Sequence, residues 1–598
     1  MRILFDSKKT EYKSPFGCIL PGQECRLTVH IPATVKTTAA QVCVQAENSA
    51  AVAEFPLALV KEDGPYQHWQ ARLSLDTPGL YFYFFRITGH TGTFRLFKYG
   101  DDTNMEDGGL WQLSCIPKAF TTPDWAKGGV IYQIFPDRFS KSGECDLTGK
   151  LQPYTVHKSW DEEVDWQPNE KGQVLNNDFF GGNFRGITEK MDYIASLGVS
   201  ILYLNPISKS FSSHRYDTGD YKQPDPMLGT AEDFQALCQA AHKRGIYVVL
   251  DGVYSHTGSN SLYFNRDGAF GNGGAFRDEH SPYRSWYQFH RYPDCYNSWW
   301  GFDTLPTVSK MNPGFMDYII YNADSVVAHW MKLGADGFRL DVADELPDAF
   351  IAALKNRIRQ IRPDALLIGE VWEDASNKIA YDIRRRYFVD GELDSIMNYP
   401  YRTAILNFLR CQDDGRELKN TVMTILENYP RQVVLCNMNL LGTHDTPRIL
   451  TALVDDFDGD RAALACRRLS ESHRQLAKQR LTLAATLQFM LPGCPSIYYG
   501  DEAGMEGGKD PFNRRTYPWG REDHQLLAHF KALGALRKAY PALRLGDTEF
   551  VAAGNGWVEF IRRYETSVIH ARVSNGPEVE KQKDALLQGQ GFCIWEEH

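Results

Sequence analysis

Six polar residues stand where buried apolar runs give out. The run IYVVL at 246–250 closes on Asp251, with His256 five residues further on. GFRL at 337–340 closes on Asp341, LLIG at 366–369 on Glu370, and a run through Val433, Leu435 and Leu440 on His444 and Asp445. Carboxylates and imidazoles are the groups that move protons, and an ionised carboxylate can also attack an electrophilic carbon. At the end of a buried strand a carboxylate costs desolvation unless something uses it. One such acid reads as a helix N-cap. Four acids and two histidines at four strand ends exceed what capping accounts for, and they predict a common active face.

The elements that must position them alternate helix and strand. Thr230 is an N-cap, Phe234, Leu237, Cys238 and Ala241 share one helical face, and Gly245 ends that helix before IYVVL. A helix through Met331 to Gly334 precedes GFRL, and a helix from Pro347 to Ile361 precedes LLIG. Wholly apolar strands of this kind belong to parallel sheets buried on both faces. Their repetition predicts an α/β fold, a (β/α)8 barrel over 121–540, whose chemistry lies at the C-terminal strand ends.

Before the barrel the period changes to two. Leu27, Val29 and Ile31 alternate with polar residues, as do Trp69, Ala71, Leu73 and Leu75, and DTPG at 76–79 is a turn. Residues 1–120 therefore read as a β-sandwich, with a carbohydrate-binding or dimerising role as the expectation. Residues 541–598 are a short C-terminal β domain, with Val551, Trp557, Phe560 and Ile569 suggesting strands. Between His256 and Met316 an excursion at 257–315, inserted after the third barrel strand, carries Tyr263, Phe264, Tyr283, Trp286, Tyr287, Tyr296, Trp299 and Trp300. So long a loop beside an active face reads as a substrate wall, with a small satellite core of the same rings as the other reading.

Composition narrows the class. The 598 residues carry 65 Lys and Arg against 75 Asp and Glu, a net charge of −10, which argues against a nucleic-acid binder. No apolar run reaches the ~18 residues of a membrane span. The twelve scattered cysteines form no CxxC pair. Reduced thiols and a cytoplasmic location are the expectation, with no membrane partner.

Taken together, DGVYSH at 251–256, GFRLDVADE at 337–345, GEVW at 369–372 and GTHD at 442–445 resemble the α-amylase family, glycoside hydrolase family 13. IYQIFPDRF at 131–139, HRYDTGDY at 214–221, GCPSIYYGDEAG at 493–504 and DPFNRR at 510–515 extend the resemblance over about 125–520. With a β-domain ahead of the barrel, the chain is similar to the neopullulanase, cyclomaltodextrinase and amylopullulanase branch.

That resemblance implies a retaining hydrolase of α-1,4-glucosidic bonds in maltooligosaccharides, pullulan or starch-derived glucans, with α-1,6 bonds as a further target. It implies Asp341 as nucleophile, Glu370 as acid/base and Asp445 as the carboxylate that stabilises the distorted sugar. Arg339, two residues before Asp341, is expected to hold that carboxylate ionised by lowering its pKa. His256 and His444 are expected on sugar hydroxyls, Tyr216 as a stacking platform, Asp510 and Arg514 on a more distant sugar, and Asp251 orienting Arg339. The alternatives are a transglycosylase or isomerase working through the same ester, and a barrel without catalysis.

Departures bear on metal. Ser255, Glu345 and Asn183 stand where the family carries calcium-associated residues, and FSKSG at 139–143 lacks an acidic cluster. No metal ligands are assigned and no cofactor is expected to be required, with calcium kept as a disfavoured alternative. A homodimer is an expectation borrowed from the same branch.

Overall fold

The structure is a computed structural model describing residues 2–455, 459–576 and 578–597. It comprises two compact units. One is Met1–Thr121 with Asp374–Asp394 and Lys419–Val434, and the other is Thr122–Glu373, Ser395–Leu418 and Leu435–His598.

The first unit is a sandwich of two antiparallel sheets. One is ordered Lys13–Ser14, Cys25–Pro32, Tyr66–Leu73, Ala58–Asp63, and the other Val52–Pro56, Ala39–Ala46, Gly79–Gly89, Gly92–Tyr99, Asp102–Asn104, with Trp111–Cys115 also on Gly79–Gly89. Leu27, Val29 and Ile31 face Val42, Val44, Tyr83 and Phe85 in one core. The alternation read from Cys25–Pro32 is only half of its environment, because Thr28 and His30 are buried too. Thr28 accepts from Gln70 Nε2 at 3.0 Å, and His30 stacks on His68 at 3.6 Å, so polar partners cover the outer face.

The second unit holds the barrel: β1 Ile131–Ile134, β2 Ile201–Leu204, β3 Tyr247–Gly252, β4 Gly337–Leu340, β5 Leu366–Gly369, β6 Ser395–Ile396, β7 Met438–Leu440 and β8 Cys494–Tyr498. Neighbours run parallel from β1 to β6, and from β7 through β8 back to β1. The ring closes where Met397, just past β6, bridges Met438, and Asn398 N donates to Met438 O at 2.8 Å. Ile131, Ile201, Tyr203, Val249, Leu366, Ile368, Met438 and Cys494 fill its interior.

The local signals explain the alternation. Thr230 and Asp233 form a reciprocal capping box that starts the helix Ala231–His242. Gly334 ends the helix Val326–Leu333 at φ +122°, and a Cβ there would lie 2.6 Å from Cys238 Cβ, so only glycine permits that close approach. One expected strand is shorter than the sequence suggests. Val433 and Leu435 lie on the helix Arg431–Cys436, and β7 begins only at Met438. Val433, Val434, Leu435 and Cys436 are all buried, and in a wholly buried run neither period shows.

The excursion after β3 divides. Tyr263, Phe264, Trp286 and Tyr287 are buried, Tyr263 stacks on Trp286 at 5.2 Å, and Phe264 meets Tyr287 edge-on at 4.8 Å. These rings are a satellite core rather than a wall. Only the segment around Trp299–Gly301 keeps large rings on the surface. The C-terminal strands Asp547–Gly554, Trp557–Tyr564, Ser567–Ser574, Phe592–Glu596 and Leu587–Gly589 form one antiparallel sheet. Among the described residues no helix is long and apolar enough to cross a membrane.

Candidate active site

β4 carries the organising group. Arg339 and Asp341 are two residues apart on an extended chain, so both point to the barrel axis. The Arg339 guanidinium is fully buried and serves three acids from three adjacent strands. Nη1 donates to Asp251 Oδ1 at 2.8 Å and to Asp341 Oδ1 at 3.0 Å, while Nη2 lies 2.8 Å from Glu370 Oε2. Register enforces this, with Asp251 opposite Arg339 and Arg339 opposite Ile368, two residues before Glu370.

Asp251 has no oxygen left for substrate. Its second oxygen accepts from Tyr203 at 2.7 Å and from Tyr216 at 2.8 Å. It therefore fixes Arg339 and the Tyr216 hydroxyl together.

Glu370 is held from two further sides. Val342 N donates to its Oε2 at 2.8 Å, and Trp372 Nε1 to its Oε1 at 3.0 Å. Val342 has φ 39° and ψ 59°, a left-handed conformation that is costly for a β-branched residue. That turn aims the Val342 amide at Glu370. Trp372 is fixed in turn by stacking on Tyr399 at 3.9 Å and 12°.

Asp445 follows β7 at the other side of the barrel mouth. Its Oδ2 lies 3.1 Å from His444 Nε2, and its Oδ1 3.5 Å from Arg514 Nη2. Gln133 Nε2 meets His444 Nδ1 at 3.0 Å, which leaves the ring hydrogen on Nε2, toward Tyr216 and Asp445. Tyr216 and His444 lie nearly parallel at 5.2 Å. Arg514 pairs with Asp510 at 2.8 Å and donates from Nε to His444 O at 3.0 Å. His256 meets Tyr216 O through Nε2 at 3.1 Å and Ser255 Oγ through Nδ1 at 2.7 Å. Every residue named from the sequence thus joins one network, running from Glu370 through Arg339, Asp251, Tyr216 and His444 to Asp445, Arg514 and Asp510.

The electrostatics differ from expectation at one point. Arg339 does pull the Asp341 carboxyl down, but burial pushes it up more strongly, and Glu370, Asp251 and Asp445 add to the rise. The net direction is well above the ordinary value. Asp445 is pushed up to about 7, by burial first and then Glu370, with Arg514 and Arg339 opposing. Asp251 is raised as well, by burial against the pull of Arg339, so one guanidinium does not offset the burial of these acids. Both histidines stay neutral: burial lowers His256 to about 3 and takes His444 well below its usual range.

Sequence reasoning overlooked Tyr203, Gln133 and Asn205, whose Nδ2 donates to the Tyr216 hydroxyl at 3.0 Å. Tyr203 sits in the apolar run ILYL, where nothing sets it apart from a core residue. Trp372 lay inside the GEVW segment, where an aromatic two residues past a strand-end acid was the available signal.

Residues 133–525 match the family described as alpha amylase, catalytic domain. The chain is 36% identical to an amylopullulanase of Thermoanaerobacter thermohydrosulfuricus, over 93% of this chain and 40% of that protein, so it spans well under half of that relative's length. It is 32% identical to a cyclomaltodextrinase of Geobacillus thermopakistaniensis, over 83% of this chain and 78% of that one. Among solved structures it resembles the type III pullulan hydrolase from Thermococcus kodakarensis, with a TM-score of 0.68, 26% identity and 100% of each chain covered. The family match runs through most of the barrel and takes in every strand-end acid, and the chain belongs to the α-amylase family of glycoside hydrolases.

Proposed function

We propose that this chain hydrolyses α-1,4-glucosidic bonds in maltooligosaccharides and pullulan with retention of configuration, and that α-1,6 cleavage is minor. The observation that carries the reading is the single Arg339 guanidinium joining Asp341 and Glu370. The two acids lie 3.0 and 2.8 Å from nitrogens of the same guanidinium, which holds them close together. That favours the separation of about 5–5.5 Å used by retaining enzymes over the wider spacing of inverting ones.

In this reading the Asp341 carboxylate, its charge met by Arg339 Nη1 at 3.0 Å, attacks the anomeric carbon as Glu370 protonates the departing oxygen, and a glycosyl ester forms on Asp341. Water, deprotonated by Glu370, then attacks the anomeric carbon and frees Asp341. Asp445, with the His444 Nε2 hydrogen beside it, accepts from sugar hydroxyls as the ring flattens. Relatives named amylopullulanase, cyclomaltodextrinase and neopullulanase support the substrate class. The twelve cysteines, all free thiols, support a reducing compartment.

Calcium is dispensable in this reading, because the residues at the family's calcium positions do not suit it. Ser255 Oγ is engaged with His256, Glu345 Oε1 accepts two indoles, and Asn183 directs an N–H donor to Ser142 O at 3.0 Å. Product analysis on maltotetraose, pullulan and cyclodextrin in parallel tests the function. Panose from pullulan is the expected result. Maltotriose would mean α-1,6 cleavage, and no cleavage of any of the three would overturn the proposal.

A further inference from the structure

Arg215 stands one residue before Tyr216 and is costly in two ways. It adopts φ 65°, a left-handed conformation unfavourable for a long side chain. Its guanidinium is fully buried, and among the described residues Nε and Nη2 have no hydrogen-bond partner. Backbone strain and a buried, under-bonded charge persist only where the surroundings hold them.

Those surroundings are an ion cluster sealed from solvent. Asp225 faces two cations, Lys150 Nζ at 2.8 Å from Oδ2 and Arg215 Nη2 at 3.5 Å from Oδ1, and all three side chains are fully buried. Ser210 N and Met227 N donate to the same carboxylate at 3.1 and 3.0 Å. Both cations also lie over Phe179, Lys150 Nζ 4.3 Å from the ring centre and the Arg215 guanidinium carbon 5.5 Å from it. Arg215 closes its own turn, donating from Nη1 to Ser213 O at 2.9 Å and from N to Ser212 Oγ at 3.1 Å. Lys150 and Phe179 lie between β1 and β2, and Asp225 between β2 and β3, so the cluster ties two barrel loops together.

What this turn presents is Tyr216. The Tyr216 hydroxyl donates to Asp251 Oδ2 at 2.8 Å, accepts from Asn205 Nδ2 at 3.0 Å and meets His444 Nε2. Its carbonyl accepts from His256 Nε2 at 3.1 Å. One residue thus touches Asp251, His444 and His256, and its direction is set by the residue before it. We infer that Arg215, held by Asp225 and Lys150, is a positioning residue that aims the Tyr216 hydroxyl between Asp251 and His444. A left-handed turn alone would be served by glycine, and stability alone by apolar side chains of similar volume. A guanidinium anchored at both Asp225 and Ser213 adds a fixed direction. The inference rests on the proposed hydrolysis for its kinetic readout.

Kinetics on maltotetraose, a double-variant cycle and a crystal structure read the effect. Arg215→Gly suits the left-handed backbone and leaves Asp225 paired with Lys150, so it takes away the anchor alone. It should lower kcat about thirtyfold, and Arg215→Lys should recover most of that loss. In a Tyr216→Phe background, where the hydroxyl is already absent, Arg215→Gly should cost at most about threefold more. Arg215→Met, which keeps the volume over Phe179 without the charge, takes its place in the cycle if Arg215→Gly fails to fold. The crystal structure of Arg215→Gly should show the Tyr216 hydroxyl out of hydrogen-bond reach of Asp251 or His444. Wild-type kcat in Arg215→Gly, a larger further loss beside Tyr216→Phe, or both Tyr216 bonds retained would overturn the inference. A wild-type chain that cleaves no glucan, with Tyr216 displaced in the variant crystal, would instead overturn the proposed function and leave the positioning role standing.

Discussion

The strand ends of the barrel and the excursion after β3 solve opposite problems. At the strand ends, charge is forced into a buried space: the side chains of Arg339 and Asp251 are fully buried, Asp341 is buried too, and the three satisfy one another. In the excursion, apolar rings divide between a buried core around Phe264 and exposed rings at Trp300 and Phe302. The first region gives up stability for reactivity, and its members cannot be exchanged one by one. The second is a packed support whose buried and exposed rings have separable roles.

The sharpest way to break this contrast is to remove charge without volume. Asp341→Asn and Glu370→Gln should each lower kcat by several orders of magnitude while the protein still folds. A variant keeping a tenth of the wild-type rate, about 1.4 kcal/mol of barrier, would show that the strand-end acids are not the reacting groups.

Within the excursion the expected effects fall on stability and differ by position. Phe264→Ala should cost about 3–5 kcal/mol in chemical denaturation, because the ring is wholly buried. Trp300→Ala should stay within about 0.5 kcal/mol. Comparable losses for the two would mean that the division into buried and exposed rings is wrong.

A smaller effect concerns pH. With its carboxyl pushed up from 3.8 to about 7, Asp445 keeps a proton in the folded protein that the unfolded chain has already released across that interval. Its contribution to stability is therefore lost as pH rises from about 4 to about 7. Asp445→Asn removes that contribution, so the melting temperature of the variant relative to wild type should be higher at pH 8 than at pH 5. A pH-independent difference would contradict the crowding of carboxylates.

The smallest expected effect is that of chelation. Exhaustive removal of calcium should leave activity and melting temperature near their starting values, and a large loss reversed by calcium would show that Ser255, Glu345 and Asn183 were misread.

The contrast also explains what was legible in the sequence. Asp251, Asp341 and Glu370 could be found because an apolar run fixes where a buried strand ends, and a charge at that point is conspicuous. The bridging by Arg339 followed from its spacing to Asp341. Tyr203 could not be found this way, since a tyrosine inside an apolar run looks the same whether its hydroxyl is idle or, as here, bonded to Asp251. The left-handed turn at Val342 is set by tertiary contacts against the residue's own preference. The excursion's aromatics could be counted, but which are buried depends on long-range packing: Tyr263, Phe264, Trp286 and Tyr287 proved to be core. The net direction at Asp341 could not be read because burial outweighs the pull of Arg339, and the extent of burial is not visible in sequence.

The central claim is that Asp341 becomes covalently attached to the sugar while Glu370 handles the proton. Trapping tests it most directly. The Glu370→Gln variant should be incubated with an α-maltosyl fluoride, whose leaving group needs no protonation, and the intact protein and its peptides analysed by mass spectrometry. The account predicts one added maltosyl unit, located on the peptide that contains Asp341. Turnover of the fluoride with no adduct and inverted product, or an adduct on any other carboxylate, would contradict it.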